Sequence, residues 1–206
     1  MNRIEAIVSN IDSNDKVADI GCDQVEVGIM LAKKGIKSIA SDISINVISK
    51  AKEKISSLNL EEFIDLRVGN GIETIIDTNT DTLVLAGMGT FTILEILSMY
   101  DKRFNKIITI SNNNHDILRT KMNDMNYMVS KETIIKEKNI YYNLIVFTPG
   151  NKEYTEEELL LGTCHSDIDM YKEWIIYLKD KYNSIKKNSK DKNDKIDKIL
   201  YYLNSH

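Results

Sequence analysis

Short apolar runs alternate along the first 150 residues with segments whose apolar residues have helical spacing. The apolar runs of strand length are 16–20, 36–41, 63–68, 81–86, 105–110, 127–135 and 140–147. The segments of helical spacing are 25–34, 45–58, 71–76, 90–100 and 114–125. Strands that alternate with helices predict a parallel sheet covered by helices on both faces. The last two runs have only a short break between them and predict an antiparallel hairpin that closes the sheet.

The apolar pattern changes after residue 150. A short helix is predicted at 156–161, and the pattern is helical from Asp167 onward. Two apolar stripes separated by a polar segment predict a coiled-coil-like helical hairpin. The stripes are Met170, Trp174, Tyr177, Leu178 and Tyr182, and Ile196, Ile199, Leu200 and Leu203. We therefore expect two domains, 1–150 and 151–206.

Five strand–helix units followed by a strand hairpin form a familiar order. It is the order of the seven-stranded, Rossmann-like sheet of class I methyltransferases, an analogy at the level of fold alone. We therefore predict an α/β fold with that sheet and a C-terminal helical hairpin. An N-terminal helix is also indicated, because Ile4, Ile7, Val8 and Ile11 have helical spacing.

The composition is that of an ordinary globular protein and excludes several classes. The 206 residues carry a formal net charge of −4, and 42% of them are hydrophobic. No run of about 18 apolar residues is present, so we expect no transmembrane helix, and we expect no signal peptide. Cys22 and Cys164, the only cysteines, predict no disulfide framework and a cytoplasmic protein. We also expect no metal, because the cysteines and the three histidines lack metal-ligand spacing.

A glycine turn follows the first predicted strand. Val17 to Ile20 lead into Gly21, a predicted helix follows, and the second strand ends at Asp42. The next glycine is Gly28, so the glycine fingerprint that holds a dinucleotide pyrophosphate is incomplete. S-Adenosylmethionine has no phosphate and needs fewer backbone contacts, so the turn favours this cofactor over a nicotinamide dinucleotide. The alternative is that Gly21 only turns the strand into the helix.

Polar and small residues follow strands two, three and four, at the edge where open α/β sheets bind ligands. Asp42 is placed to bind a ribose or to cap the following helix, and it can do both. Asn70, between two glycines, is placed to bind adenine or simply forms an Asn-Gly turn. Gly87 and its neighbours leave room for a substrate base or form a strand-to-helix turn. The predicted cofactor-binding residues are Asp19, Gly21, Cys22, Asp42, Ile43, Gly69, Asn70, Gly71, Ala86, Gly87 and Met88.

Four runs of the sequence carry a further signal, namely ADIGCDQ, IASDIS, RVGNGIETI and DTLVLAGMGT. Together they resemble the bacterial tRNA (adenine-22-N1)-methyltransferase family, whose patterns are close to ADIGSDHAYLP, GDGLE, AGMGG and a QPN segment. The later run YTEEELLLG is similar to the family's EELLFGP-like segment before a helical C-terminal extension. The resemblance covers nearly the whole chain, and AGMG is its more specific motif.

The resemblance implies an enzyme that transfers a methyl group from S-adenosylmethionine to N1 of an adenine in the tRNA D-arm, at position 22. By position, the family's cofactor site would be lined by Gly21, Asp23, Asp42, Asn70 and Gly87. Asp23 and Asn112 would face the substrate and are the predicted catalytic residues. Adenine N1 already carries a lone pair, so we expect Asn112 to orient the base and Asp23 to hold positive charge.

The sequence departs from the family pattern at several positions. Gln24 replaces the family's His, and Asn70 replaces its Asp. Thr90 replaces the last glycine of AGMGG, and the segment 110–112 reads Ile-Ser-Asn where the family has QPN. Two alternatives therefore stay open. One is methyl transfer from S-adenosylmethionine to another acceptor, and the other is a catalytically weak RNA-binding relative.

Lysines crowd the predicted hairpin. They indicate an arm that follows tRNA phosphates, but interspersed acids equally indicate a solvated helical face. The lysines are Lys179, Lys181, Lys186, Lys187, Lys190, Lys192, Lys195 and Lys198. The aromatic residues Tyr171, Trp174, Tyr177 and Tyr182 are expected to form the hairpin's core rather than to stack on bases. We expect tRNA as the partner and a monomeric protein.

Overall fold

A computed structural model describes residues 1–163, 165–188 and 193–205 of the chain. At its centre are the strands β1 (Val17–Ile20), β2 (Ser38–Asp42), β3 (Ile64–Val68), β4 (Thr82–Met88), β5 (Lys106–Ser111), β6 (Tyr127–Glu137) and β7 (Ile140–Pro149). They form one sheet in the order β3-β2-β1-β4-β5-β7-β6. The first five strands are parallel, and β7 is antiparallel to both of its neighbours. The predicted Rossmann-like sheet is therefore confirmed.

Helices connect the strands as the apolar spacing predicts. The α-helices of the described residues are α1 (Arg3–Val8), α2 (Glu26–Ala32), α3 (Ile45–Ser57), α4 (Thr90–Ser98), α5 (His115–Asp124), α6 (Glu156–Leu161), α7 (Ile168–Asn188) and α8 (Asp194–Leu203). The segment predicted as a helix at 71–76 is a 3-10 helix, Gly71–Ile75. Such a short connection favours the tighter i→i+3 hydrogen bonds over an α-helical ladder.

Helix α1 is shorter than the apolar spacing of its sequence indicates. It begins with a capping box, in which the Glu5 amide donates to Asn2 Oδ1 and the Asn2 amide donates to Glu5 Oε2, both at 2.9 Å. It ends at Val8, where the Asn10 side chain donates to the Ala6 carbonyl at 2.8 Å. Local side-chain hydrogen bonds thus set both ends of this helix.

The sheet separates two helical layers. Helices α1, α2 and α3 pack on one face, whereas α4 and α5 pack on the other. Ala18 and Ile20 of β1 face α4, and Val17 faces α1 and α2. Because side chains alternate along a strand, Asp19 shares the face of Val17. The sequence thereby places a carboxyl group within the apolar layer under α1 and α2.

The hairpin of β6 and β7 is longer and tighter than the sequence pattern predicts. Its turn consists of Lys138 and Asn139 alone, whose φ angles are 47° and 66°. Two consecutive left-handed residues are what a type I′ turn requires, and its twist matches that of the strands. The strands therefore continue to Glu137 and from Ile140.

The C-terminal helices pack against each other and on β6. Their shared apolar cluster contains Ile134, Leu161, Trp174, Ile175, Leu178, Ile199 and Leu203. Arg119 of α5 and Glu132 of β6 form a fully buried ion pair beside this cluster, with Nε and Oε1 2.6 Å apart. Trp174 is 8% exposed, so the expectation that it belongs to the hairpin's core is confirmed. The same expectation is wrong for Tyr177, which is 37% exposed and lies outside the apolar cluster. Cys164, Lys190 and Lys192 lie outside the described residues.

Candidate active site

A cavity of about 400 Å³ opens where β1 ends, between α1, the start of α2 and the end of β4. The predicted site residues that line it are Asp19, Gly21, Cys22, Asp23, Ala86 and Gly87. The glycine turn after β1 and the glycine loop after β4, distant in sequence, therefore face one space. This is the carboxyl edge of the parallel strands, where open α/β sheets bind ligands.

The turn after β1 has an unusual backbone. Gly21 has φ +76°, and the non-glycine residues Asp23 and Val25 have φ 40° and 55°. Left-handed backbone is costly for a β-branched residue and accumulates at functional sites. The amide groups of Gly21 and Cys22 both donate to the Ser41 carbonyl, at 2.8 and 3.0 Å. The turn is thereby fixed to the end of β2.

Two backbone amides of this turn have no acceptor among the described residues. Within the described chain, the amides of Asp23 and Gln24 donate no hydrogen bond. The Gln24 carbonyl is held from outside, because Lys54 of α3 donates to it from Nζ at 3.0 Å. We name residues 22 to 26 the 22–26 turn. Its free donors are available to an acceptor in the cavity, such as a carboxylate.

Asp19 is a strongly perturbed titratable group in the cavity. Its side chain is 4% exposed and, among the described residues, makes no hydrogen bond. Burial, with the nearby charge of Asp42, raises the pKa of Asp19 to about 7. Asp23 and Glu26 add further acidic groups, and Arg3 faces Glu137 with Nε and Oε2 2.9 Å apart. These acidic groups favour a ligand that carries a positive charge.

Asp42 is the last residue of β2 and lies outside the lining of this cavity. Its Oδ1 accepts from the Ser44 amide at 2.9 Å, and Ser44 itself caps α3 by accepting from the Val47 amide at 3.4 Å. The cap alternative for Asp42 is therefore assigned to Ser44 instead. In the described chain, Asp42 Oδ2 has no hydrogen-bond partner and is available to a hydroxyl group. The adjacent Ile43 side chain is 71% exposed.

The three residues after β3 have different environments. The Gly69 amide donates to the Asp42 carbonyl at 3.1 Å, which joins this loop to the end of β2. Asn70 is exposed, and its amide donates to the Glu73 carboxylate. Gly71 is buried with φ +57°, and a Cβ there would lie 3.2 Å from Ile96 Cγ2. Packing of the 3-10 helix against α4 is thus enough to require Gly71, while Asn70 remains open to solvent.

Asn112 does not line the cavity but contacts Gly87 of the loop after β4, which does. Gly87 has φ +80°, and a Cβ added to it would have no neighbour within 4 Å. The Asn112 side chain donates to the Gly87 carbonyl at 2.9 Å, and its amide donates to the Met88 carbonyl at 3.0 Å. Asn112 is exposed, and its Oδ1 accepts no hydrogen bond from the described residues. Met88 lies under the turn, with Cε 2.8 Å from where a Cβ of Gly21 would be.

Cys22 has the environment of a core residue. It is 7% exposed and packs with Ile29 and Ala40. Burial and the charges of Asp19 and Asp42 raise the pKa of the Cys22 thiol to about 12. Because the thiolate is the reactive form, Cys22 has no nucleophilic role at neutral pH.

Several residues of the cavity are not among the site residues predicted from the sequence. They are Arg3, Ile4 and Ile7 of α1, together with Gln24, Glu26, Val27 and Ile110. The helical spacing of α1 predicts that one face is buried, but the spacing does not indicate what this face covers. In the structure, α1 forms one wall of the cavity.

Three of the hairpin lysines that the structure describes form ion pairs, whereas Lys179, Lys181 and Lys187 form none within the described residues. The ion pairs are Lys186 with Asp197, Lys195 with Asp116, and Lys198 with Glu156. In the described ranges, no group of three or more His, Cys, Asp and Glu is arranged to hold a metal. In the same ranges, no helix combines the length and apolar character needed to cross a bilayer.

The sequence model of a family described as methyltransferase domain matches residues 1–145. The chain belongs to this methyltransferase domain family. It is also similar to the tRNA (adenine(22)-N(1))-methyltransferase of Bacillus subtilis (strain 168), with 27% identity over 165 residues. The matched region spans 78% of this chain and 69% of that enzyme. The resemblance drawn from the four sequence runs is therefore confirmed.

Solved structures extend the likeness to the helical hairpin. The M. capricolum TrmK structure, a complex with S-adenosylhomocysteine, has a TM-score of 0.83 and 24% identity, and covers 99% of this chain and 94% of its own. The structure of the B. subtilis M1A22 tRNA methyltransferase TrmK has a TM-score of 0.74 and 20% identity. The match covers 99% of this chain and 94% of that protein. At these identities the likeness shows the fold, which includes the C-terminal helices.

Proposed function

We propose that this chain is an S-adenosylmethionine-dependent tRNA methyltransferase that transfers a methyl group to N1 of an adenine in the D-arm, at position 22. One observation carries the proposal: the ADIG turn and the AGMG loop line a single acidic cavity. The similar protein from B. subtilis is named for this activity. A tRNA substrate also supports a cytoplasmic location.

The acidic lining supports the cofactor. S-Adenosylmethionine, when bound, supplies an electrophilic methyl group on a cationic sulfonium. Asp19 offers a buried carboxyl group without a protein partner, which stabilises a positively charged ligand. Asp42 Oδ2 would accept from a ribose hydroxyl. We assign the cofactor contacts to Asp19, Gly21, Cys22, Asp42, Ile43, Gly69, Asn70, Gly71, Ala86, Gly87 and Met88, with Cys22 contributing its backbone.

Asn112 would hold the target base. Its amide group is fixed on the Gly87 carbonyl, so Oδ1 presents an acceptor in a set direction. The exocyclic amine of adenine is a donor next to N1, and a hydrogen bond to it would aim N1 into the cavity. The base must first leave its stack, which costs a few kcal/mol.

Asp23 would stabilise positive charge beside the reacting atoms. N1-methylation makes the base cationic, and no general base is required because N1 already carries a lone pair. The Asp23 side chain lines the cavity on a left-handed residue that the 22–26 turn holds in place. A carboxylate fixed in advance stabilises the product charge without reorganisation.

The test is methyl transfer from radiolabelled S-adenosylmethionine to unmodified tRNA transcripts, with nucleoside analysis of the product. We expect labelled N1-methyladenosine, which disappears when the transcript carries guanosine at position 22. Asn112→Ala and Asp23→Asn should lower kcat at least tenfold, whereas Asn105→Ala, on an exposed residue after α4, should not. Cofactor binding without methyl transfer to any tRNA transcript would refute tRNA as the methyl acceptor. Absence of cofactor binding would refute the whole proposal.

A further inference from the structure

A second depression meets the candidate active site at the 22–26 turn. It measures about 740 Å³ and runs along the exposed face of α2, between α1, the β6–β7 turn and the end of α3. A hollow of about 390 Å³ lies between the 22–26 turn and α3. Lys54 borders both spaces, and Glu26 borders the depression and the catalytic cavity. We name the two joined spaces the α2 groove.

Cationic side chains outnumber acidic ones along the α2 groove. The cations are Arg3, Lys33, Lys50, Lys54 and Lys138, and the acids are Asp23, Glu26 and Glu137. The chain as a whole has a net charge of −4. A locally positive surface on an acidic protein is an electrostatic footprint for an anionic partner.

Three of these cations are available to a partner. Lys33, Lys50 and Lys138 are exposed and form no ion pair within the described chain. Arg3 is paired with Glu137, and Lys54 is engaged with the 22–26 turn. The available charge therefore lies on the rim of the groove, where a polyanion that follows α2 would meet it.

We propose that the α2 groove binds the phosphate backbone of the RNA whose base enters the catalytic cavity; the proposal rests on the proposed function. A base that leaves its stack carries its own backbone to the mouth of the pocket. The phosphates on either side of it then need cations near that mouth. The α2 groove and the catalytic cavity share Asp23, Gln24 and Glu26 in their linings. The lysines of the groove are therefore the cations of the surface that adjoins the cavity.

The hairpin supplies a matched control. The test variant is Lys33→Gln, Lys50→Gln and Lys138→Gln together. The control variant is Lys172→Gln, Lys179→Gln and Lys187→Gln, which removes the same charge from hairpin lysines that form no ion pair in the described chain. Lys54 is left intact because it also holds the Gln24 carbonyl.

The measurement is the Kd for an unmodified tRNA transcript as a function of KCl concentration. We expect the groove variant to lose at least tenfold in affinity at low salt, and its slope of log K against log salt to fall by about 2 to 3, roughly 0.7 to 0.9 per phosphate contact. The hairpin variant should keep the wild-type slope. Calorimetry should show unchanged cofactor affinity in both variants, which confirms that they are folded.

The outcomes separate this inference from the function on which it rests. If wild-type protein methylates tRNA and the hairpin variant alone loses affinity, the groove assignment is wrong and the function stands. Loss of dimers by sedimentation in the groove variant, without loss of RNA affinity, would make the groove a protein interface and overturn the inference. Wild-type protein that neither binds nor methylates tRNA would overturn both.

Discussion

Replacing Asp19 by asparagine is expected to stabilise the protein at pH 8 and to weaken its binding of a cationic cofactor. Asp19 is 4% exposed and lies in the apolar layer between the sheet and helices α1 and α2. Burial, with repulsion from Asp42, raises the pKa of Asp19 from the usual 3.8 to about 7. Ionisation of Asp19 in the folded state is therefore unfavourable, and it lowers the free energy of unfolding of the ligand-free protein above neutral pH.

The magnitude follows from the pKa shift. The folded state holds a proton that the unfolded state releases between about pH 4 and pH 7, so the free energy of unfolding falls as the pH rises through this window. One pKa unit corresponds to about 1.4 kcal/mol, so the whole effect is on the order of 4 kcal/mol at pH 8. About 3 kcal/mol of it develops between pH 5 and pH 8. An asparagine side chain cannot ionise, so the variant lacks this pH-dependent loss.

The assay is urea denaturation at pH 5, 6, 7 and 8, followed by far-ultraviolet circular dichroism without cofactor. The variant minus wild-type difference in unfolding free energy should increase with pH by about 3 kcal/mol. Burial of the asparagine amide adds an offset of about 1 to 3 kcal/mol, but this offset does not depend on pH. The exposed Asp101→Asn variant serves as the control and should follow the wild-type curve.

The cofactor affinity of the wild-type protein should increase with pH, whereas its free energy of unfolding decreases. A cationic ligand stabilises ionised Asp19, so wild-type affinity should rise between pH 6 and pH 8 with proton release on binding. Asp19→Asn should lose affinity most strongly at pH 8. A stability difference that stays constant from pH 5 to pH 8 would refute the argument that burial controls this carboxyl group.

Five further substitutions test single contacts in the core, in two glycine turns and at Lys54. Glu132→Gln leaves the fully buried Arg119 without an ionised partner, so urea denaturation should show a loss of about 3 to 5 kcal/mol; a loss under about 1 kcal/mol would contradict this. Gly21→Ala and Gly35→Ala both force alanine into left-handed backbone, at φ +76° and +75°, which costs about 1 to 2 kcal/mol. Of the two new Cβ atoms, only the one at residue 21 meets a neighbour, Met88 Cε at 2.8 Å. Because Met88 Cε is the end of a flexible side chain and can move aside, the two variants should lose similar stability. Only Gly21→Ala should weaken cofactor binding, and unchanged cofactor binding in that variant would contradict the role of the turn. Lys54→Met should raise the cofactor Kd several-fold while lowering the free energy of unfolding by less than about 1 kcal/mol, and Lys54→Arg should restore binding. An unchanged Kd for the methionine variant would show that the 22–26 turn keeps its conformation without Lys54.

Much of the fold and part of the site could be read from short-range patterns. Alternating strand and helix periods predict the sheet, because each element must bury one face. Gly21 and Asp42 could be placed because a strand end and the turn after it are local features, and the structure puts both at the carboxyl edge of the sheet. The 3-10 helix at Gly71–Ile75 was beyond this reasoning, since a five-residue apolar pattern does not distinguish hydrogen-bonding types.

The elements, their order and the positions of the turn residues follow from local patterns, since backbone preferences and apolar periods act between near neighbours. Folding makes α1 a wall of the cavity, exposes Asp19 to the charge of Asp42 and pairs Arg119 with Glu132. These are contacts between residues far apart in the chain. A pKa or a buried ion pair depends on the dielectric surroundings and on the charges that folding brings near, and no local pattern records either of them.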